Sequence, residues 1–294
     1  MSWLLFSLLA ALVWAIVNIN DKFILTKLVT KPIVPLMILG FISLIAAGII
    51  YLVKGLPYLS AFNLFLAFIA GILFVLMNLF YFKAVQLEEI SRVIPLFYIS
   101  PIFILILAWF FLGEIFTTIS YAGIFLLIAG AILISVRHPF KITVGKAYWF
   151  MILSTLSLAS NQVISKYLLG IADFWTVFAY VRIASFIALI PIFFIYFPYL
   201  AENIRVKGSK VLGFVSFNES MNLVGVIFIT VAASTGFVTL VNTLSSIQPL
   251  FVFVFAVLLS LFFPKIIKEE LNKPTLALKL VAIILMIIGG VLIS

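Results

Sequence analysis

Hydrophobic residues form long uninterrupted runs along nearly the whole chain, separated by short segments that carry charge, proline or glycine. Runs of about 20 apolar residues have the length of a membrane-spanning α-helix, whereas the strands of a membrane barrel alternate apolar and polar positions. The pattern predicts an all-α polytopic membrane protein without a separate soluble domain. Its ten predicted transmembrane helices lie near residues 3–20, 33–53, 61–82, 91–112, 118–136, 147–166, 174–197, 211–232, 238–263 and 275–293.

The two halves of the chain resemble each other. Residues 18–23 (NINDKF) are similar to residues 162–167 (QVISKY), and a constant offset of 148 relates Phe80, Ala84 and Pro101 to Phe228, Ala232 and Pro249. We therefore predict two five-helix repeats, over residues 1–137 and 146–294. Because five is odd, the repeats should have opposite orientations in the membrane. This inverted layout is typical of secondary transporters, whose site lies near the midplane between the repeats.

Composition excludes several classes of function. The chain is 66% hydrophobic and only 9% charged, far from a soluble domain with about 25% charged residues. It has no cysteine and one histidine, His138 in a predicted loop, so we expect neither a metal site nor a cofactor. No P-loop motif occurs, which disfavours direct use of ATP.

The net charge of +9 arises from lysines and arginines at the helix ends, which indicates contact with anionic lipid headgroups rather than with nucleic acid. Nearly all of them follow odd-numbered predicted helices, and the other face has only Lys54 and Lys166. The positive-inside rule then places the charged face in the cytoplasm and both termini outside. We expect the membrane to be the plasma (inner) membrane.

Polar residues inside the apolar runs are the candidate binding residues. Asn218, Glu219 and Asn222 lie near the middle of the predicted eighth helix, and Arg182 lies within the seventh. A charge at that depth costs about 2.5–3.5 kcal/mol, so it usually faces the protein interior or a watery cavity. Arg182 suits a carboxylate or phosphate, and Glu219 an amine or a coupling proton. One alternative is an ion pair in which Arg182 and Glu219 neutralise each other. Another is a protonated Glu219 that hydrogen-bonds to a neighbouring helix and has only a structural role.

Further candidates follow the same logic of polar or aromatic positions within apolar helices. The predicted substrate-binding set comprises Trp14, Asn18, Asn78, Tyr98, Asn161, Arg182, Asn218, Glu219, Asn222, Asn242, Ser246 and Gln248. Asp21, at the end of the first helix, is expected to be interfacial. Pro101 and Pro249 should kink the fourth and ninth helices and act as hinges, or else merely allow kinked packing. Gly123, Gly130, Gly289 and Gly290 indicate close helix packing.

Several motifs are shared with a known family. Pro101, the segment Phe111 to Glu114 (FLGE) and the two glycines of the fifth helix recur in the second half as Pro249, Glu269-Glu270 and Gly289-Gly290. On these features the chain resembles the EamA branch of the drug/metabolite transporter superfamily over essentially its whole length. It departs where FFPKIIK precedes the acidic pair, and where Gly40 stands in place of Arg182. The resemblance implies export of amino acids or other metabolites, with both termini cytoplasmic.

The first hypothesis is thus a secondary transporter, an exporter of a small metabolite such as an amino acid. Its two repeats would rock around a midplane cavity, driven by a gradient or coupled to a proton carried by Glu219. Its partners would be the substrate and the bilayer, and it would be a monomer or a homodimer. The competing hypothesis is a flippase or an intramembrane enzyme for a lipid-linked substrate. An intramembrane enzyme would need a nucleophile–base pair or a metal site inside the membrane, and the sequence offers neither. We therefore expect no enzymatic activity.

Overall fold

A computed structural model describes residues 2–29, 31, 33–87, 96–135, 145–262 and 273–293. The regular elements of these residues are all helical, and a π-helical turn, Ile24–Leu28, continues the first helix. The α-helices are α1 Ser2–Phe23, α2 Ile33–Lys54, α3 Ala61–Leu87, α4 Ser100–Leu112, α5 Thr118–Ser135, α6 Lys146–Leu169, α7 Phe174–Lys207, α8 Ser209–Thr235, α9 Val238–Ser245, α10 Gln248–Phe262 and α11 Lys273–Ile293.

Several of these helices are long and apolar enough to cross a bilayer. Six such spans occur in the described residues, namely Trp3–Asp21, Ile33–Lys54, Ala61–Leu87, Phe174–Glu202, Ser209–Thr235 and Val238–Phe255, the last of which runs from α9 through a turn into α10. Shorter apolar helices cover Ser100–Leu112, Thr118–Ile134 and Ala277–Ile293. The protein is therefore a multi-pass integral membrane protein built of helices, as the apolar runs predict.

The predicted fourth and ninth helices are broken rather than kinked. A turn at Tyr98-Ile99 precedes α4, and a turn at Ser246-Ile247 separates α9 from α10. Pro101 lies in the first turn of α4, as Pro249 does in α10. The missing proline N–H and its ring are tolerated at the first turn of a helix but not in its interior, which explains the break. Residues 91–95 of the predicted fourth helix lie outside the described residues.

The seventh helix is longer than its apolar run. α7 continues to Lys207, through Pro191 and Pro198, so the predicted end of the seventh helix at residue 197 is wrong. Hydropathy locates the bilayer, but a helix can continue beyond it into water. The chain turns at Gly208, whose φ of +81° lies in the left-handed region that favours glycine, and α8 begins at the next residue.

Helices α5 and α11 pack with their backbones in close contact. A Cβ added to Gly289 would lie 2.7 Å from the Gly123 carbonyl oxygen, and one added to Gly130 would lie 2.5 Å from Cγ of Met286. Close packing is thereby confirmed for these three glycines. The same prediction is wrong for Gly290, where a Cβ would meet only Cδ1 of Leu244, at 3.8 Å.

The junction of α8 and α9 is held by two charged residues. Glu114, which follows α4 and is 3% exposed, accepts hydrogen bonds from the Val238 and Thr239 amides at 2.7 and 3.1 Å. Lys166 Nζ donates to the carbonyl oxygens of Ala233 and Gly236, each at 2.7 Å. Helix ends leave such amides and carbonyls without intrahelical partners, so the acid caps α9 and the lysine caps α8.

Candidate functional site

A cavity of about 140 Å³ lies between the helices. Its wall is formed by residues of α1, α3, α6, α7, α8 and α9, by the turn before α4 and by the first residues of α4 and α10. Helix α2 contributes no lining residue among those described, and its Gly40 packs against Leu189 of α7.

Ten of the twelve predicted substrate-binding residues line this one cavity. They are Trp14, Asn18, Asn78, Tyr98, Asn161, Arg182, Asn222, Asn242, Ser246 and Gln248. Asn218 and Glu219 do not line it; they are buried behind the wall, with exposures of 0% and 1%. Ser220, on the same helix, is exposed and donates to the Ser216 carbonyl oxygen. The structure thus brings the set together, while its contact with a substrate stays a prediction.

Arg182 lies on the cavity wall among aromatic rings. Its guanidinium carbon is 3.8 Å from the centroid of the Phe74 ring and 5.6 Å from that of Phe178. The side chain is 2% exposed, and Nε and Nη1 have no hydrogen-bond partner among the described residues. The one ion pair among these residues joins Lys54 to Asp173, so the alternative of an Arg182–Glu219 pair is wrong. A buried guanidinium without a counter-ion is costly, and an anion in the cavity would remove that cost.

A hydrogen-bonded network connects the cavity wall to Glu219. The Trp14 indole N–H donates to Asn222 Oδ1 at 3.0 Å, and Asn222 Nδ2 donates to Glu219 Oε2 at 3.3 Å. Asn222 also lines the cavity, so it is the link between the cavity and the buried carboxyl group. Trp14 of α1 and the residues Asn222 and Glu219 of α8 therefore belong to one hydrogen-bonded network.

Asp21 is a lining residue that the sequence analysis placed at the interface instead. It is only 9% exposed, it lines the cavity, and its Oδ1 accepts a 2.7 Å hydrogen bond from Asn218 Nδ2. The internal similarity contains a signal for it, because it aligns Asp21 with Ser165, and Ser165 lines the same cavity.

Three asparagines of the wall use their amide nitrogens within the protein. Asn161 Nδ2 donates to the Ala70 carbonyl oxygen at 2.7 Å, which joins α6 to α3. Asn78 and Asn242 each donate to a carbonyl one turn earlier in their own helix, at 2.9 Å. The side-chain oxygens of all three accept no hydrogen bond from the described residues, so they can serve a ligand as acceptors.

The described residues contain no group of three or more His, Cys, Asp or Glu side chains that could hold a metal ion. The chemistry of the wall is instead that of binding: a guanidinium, a carboxyl group, amides, hydroxyls and aromatic rings. Such groups suit a small polar ligand that is held by charge and hydrogen bonds.

Comparison with known proteins agrees with the fold and the membrane location. Residues 1–136 match the model of the EamA-like transporter family, which confirms the family resemblance there. A crystal structure of a protein with 17% sequence identity superposes with a TM-score of 0.73, covering 100% of this chain and 97% of that one. At this identity the likeness shows a shared fold. No curated protein matches the chain.

Proposed function

We propose that this chain, whose residues 1–136 belong to the EamA-like transporter family, is a secondary transporter that exports a small metabolite such as an amino acid. The observation that carries the proposal is the Arg182 guanidinium, which is buried on the wall of a polar cavity and receives no counter-ion from the part of the chain that the structure describes. An intramembrane charge of this kind usually serves a substrate or ion pathway. The ligand would supply the anion that Arg182 lacks.

The proposal includes ten membrane helices arranged as two inverted repeats, residues 1–137 and 146–294. Equivalent positions of the two halves line the same cavity, which supports this arrangement. With an offset of 144, the α1 residues Trp14, Val17, Asn18 and Asp21 correspond to the α6 residues Leu158, Asn161, Gln162 and Ser165, all of which line the cavity. With an offset of 148, Phe97, Tyr98 and Ser100 correspond to Ser245, Ser246 and Gln248, which line it as well.

Helix packing supports the same symmetry. The third helix of each half packs against the first helix of the other, as α3 on α6 and as α8 on α1. The second helices pair as α2 on α7, and the fifth as α5 on α11. An axis relating two inverted repeats would pass through these two pairs, and the cavity would lie on it. Arg182 breaks the symmetry, because its equivalent is Gly40, and it would give the site one defined anion-binding side.

Alternating access would use the two broken helices as hinges. The turn before Pro101 and the turn before Pro249 have the same hydrogen bonds: the Ile102 amide donates to Ile99 O and the Leu250 amide to Ile247 O, each at 2.9 Å. Tyr98 and Ser246 lie in these turns and line the cavity. A rotation at the turns would therefore reshape the cavity wall, as rocking of the halves requires.

Proton coupling through Glu219 is part of the proposal. Its carboxyl group is fully enclosed, and its one hydrogen bond from the described residues comes from Asn222, which lines the cavity. Protonation could therefore be linked to ligand binding through a single amide. If transport were not coupled to a proton, Glu219 would have only a structural role.

The test is uptake into proteoliposomes that contain the purified chain. Amino acids, amines and small organic acids would be screened with and without a pH gradient, using wild type, Arg182→Gln, Glu219→Gln and the control Ser220→Ala. We expect one compound to be transported by wild type and the control but not by Arg182→Gln, and its pH dependence to vanish in Glu219→Gln. Normal transport by Arg182→Gln would overturn the proposed anchor, and Asn161, Asn242 and Gln248 would become the leading candidates.

A further inference from the structure

The indole ring of Trp14 lies against the backbone of α8 at a position where that helix has a glycine. A Cβ added to Gly225 would lie 2.5 Å from Nε1 of Trp14 and 2.8 Å from its Cδ1. Heavy atoms that are not bonded pack at about 3.5–4.0 Å, so a side chain at position 225 and the indole cannot share this space. Gly225 is buried, whereas Trp14 is half-buried and lines the cavity. The glycine therefore lets the ring withdraw from the cavity onto the surface of α8.

A hydrogen bond holds the ring in this withdrawn position. Nε1 of Trp14 donates to Asn222 Oδ1 at 3.0 Å, and Asn222 lies three residues before Gly225, on the same face of α8. The amide nitrogen of Asn222 donates to Glu219 at 3.3 Å, which leaves the amide oxygen for the indole. Asn222 and Gly225 together form an indole slot, in which the first supplies the acceptor and the second supplies the space.

The equivalent place in the other half of the chain is filled differently. The internal similarity relates Trp14 to Leu158 with an offset of 144, and Gly225 to Met77 with an offset of 148. Leu158 and Met77 both line the cavity, and α3 packs on α6 as α1 packs on α8. Two side chains of intermediate size thus stand where the other half combines the largest side chain with a glycine. The cavity wall gains or loses the most volume at Trp14.

We infer that Trp14 sets the size of the ligand that the cavity accepts, and that the indole slot of Asn222 and Gly225 determines how much of the cavity the ring leaves free. A side chain at position 225 would push the ring away from α8 and into the cavity. Replacing Trp14 by alanine would add the volume of the ring to the cavity. This inference rests on the proposed transporter function and identifies the residue that decides which substrates fit.

Acrylamide quenching of Trp14 fluorescence tests the position of the ring without any ligand. The full chain in lipid nanodiscs would keep Trp14 as its single tryptophan, with phenylalanine in place of Trp3, Trp109, Trp149 and Trp175. Gly225→Ala should raise the quenching and shift the emission to longer wavelength, because the displaced ring loses its cover and its acceptor. Asn222→Ala keeps the space but removes the acceptor, so it should raise the quenching as well. The matched control is Gly213→Ala on the same helix, where a Cβ meets nothing within 4 Å.

Uptake of glycine, alanine, leucine and phenylalanine into proteoliposomes tests the size limit. These compounds share their ammonium and carboxylate groups and differ in side-chain size. For the largest of them that wild type transports, Gly225→Ala should lower uptake by about tenfold relative to glycine, since a misfit of one methylene group in an apolar pocket costs at least that much. Trp14→Ala should raise the same ratio. Adding Trp14→Ala to Gly225→Ala should remove the effect of the alanine at position 225, which a general packing defect would not do.

Three outcomes would overturn the inference. One is quenching that neither Gly225→Ala nor Asn222→Ala changes, whatever the transport result. Another is an equal loss of uptake for all four compounds in Gly225→Ala. The third is an effect of Gly225→Ala that persists in the protein that also carries Trp14→Ala. The proposed function fails separately, when wild-type proteoliposomes transport none of the compounds screened, and the quenching then still decides whether α8 holds the ring.

Discussion

The guanidinium carbon of Arg182 lies 3.8 Å from the centroid of the Phe74 ring. A desolvated cation–π contact contributes about 2 kcal/mol, less than the several kcal/mol that burial of an ion costs. The stacking therefore orients the guanidinium without neutralising it, and Nε and Nη1 keep hydrogen-bonding capacity unused by the described residues. Orientation combined with unused donors is what an anion-binding residue needs.

Replacing Arg182 by lysine should weaken binding of a carboxylate ligand by about 10- to 100-fold. Lysine keeps the charge but lacks the planar fork and the stacking, which together are worth a few kcal/mol. Phe74→Leu removes only the stacking and should weaken binding less. Titration of the carboxylate compound that wild type transports, with each protein in lipid nanodiscs, would measure all three affinities. Equal affinities for wild type and Arg182→Lys would contradict this role of the guanidinium.

Replacing Glu114 by alanine should lower the free energy of unfolding by about 1–3 kcal/mol, because two buried amides at the start of α9 lose their acceptor. Glu114→Gln retains one side-chain acceptor and should lose less. The matched control is Thr117→Ala, which removes an exposed cap that accepts from the Ser120 amide at 3.2 Å. Thermal unfolding in one detergent would rank the variants. A Glu114→Ala protein as stable as the control would show that the cap is dispensable.

Two glycine substitutions should have different effects on the free energy of unfolding, because one lies where α5 and α11 pack closely and the other lies in open space on α2. Gly289→Ala places a methyl group 2.7 Å from the Gly123 carbonyl oxygen and should destabilise by about 1–3 kcal/mol. Gly48→Ala, on α2, meets nothing within 4 Å and should be neutral or stabilising by up to about 1 kcal/mol. Melting temperatures of both variants, measured together, check the difference. If Gly289→Ala were the more stable of the two, the close packing of these helices would be refuted.

Asp173 lies outside the membrane spans and should contribute to stability in a pH-dependent way. The hydrogen bond from the Thr176 hydroxyl, with Lys54 and the Trp175 amide, lowers the pKa of Asp173 below its usual value. A lowered pKa in the folded state stabilises the protein above the unfolded pKa of about 3.9. That contribution is lost as the pH falls through the folded pKa. The melting-temperature difference between wild type and Asp173→Asn should be constant near neutrality and shrink below about pH 4. A difference that persists unchanged at the lowest pH would point to another cause.

The sequence predicts the helices and most of the cavity wall for one physical reason. A bilayer requires long apolar runs, so the few polar residues within them, such as Asn78, Asn161 and Arg182, stand out and point inward. The sequence does not predict that Asp21 lines the cavity. This residue lies at the end of the first apolar run, where an acidic side chain exposed at the membrane surface is equally compatible with the hydrophobic pattern. Its burial depends on Asn218, which is 197 residues away along the chain.

The sequence also does not predict which residues of the two halves are in contact. Glu114 is recognisable as part of a motif, but its partners, the amides of Val238 and Thr239, carry no side-chain signal. Glu219 stood out as an intramembrane acid, yet it lies behind the wall, because the rotation of α8 about its own axis decides which side faces the cavity. Hydrophobic periodicity is weak in a helix that is apolar on every side, so it does not determine that rotation.

The central claim, that the cavity is a path opened alternately to the two sides of the membrane, is tested most directly by the accessibility of Ser246. This residue lines the cavity at the turn before α10, and the chain has no cysteine, so Ser246→Cys carries a single thiol. A membrane-impermeant thiol reagent would be applied to sealed vesicles of both orientations, with Ala108→Cys, buried outside the cavity, as the control. The account predicts that Ser246→Cys is labelled from both sides while the control is labelled from neither. Labelling of Ser246→Cys from one side alone, under every condition of pH and ligand, would contradict alternating access.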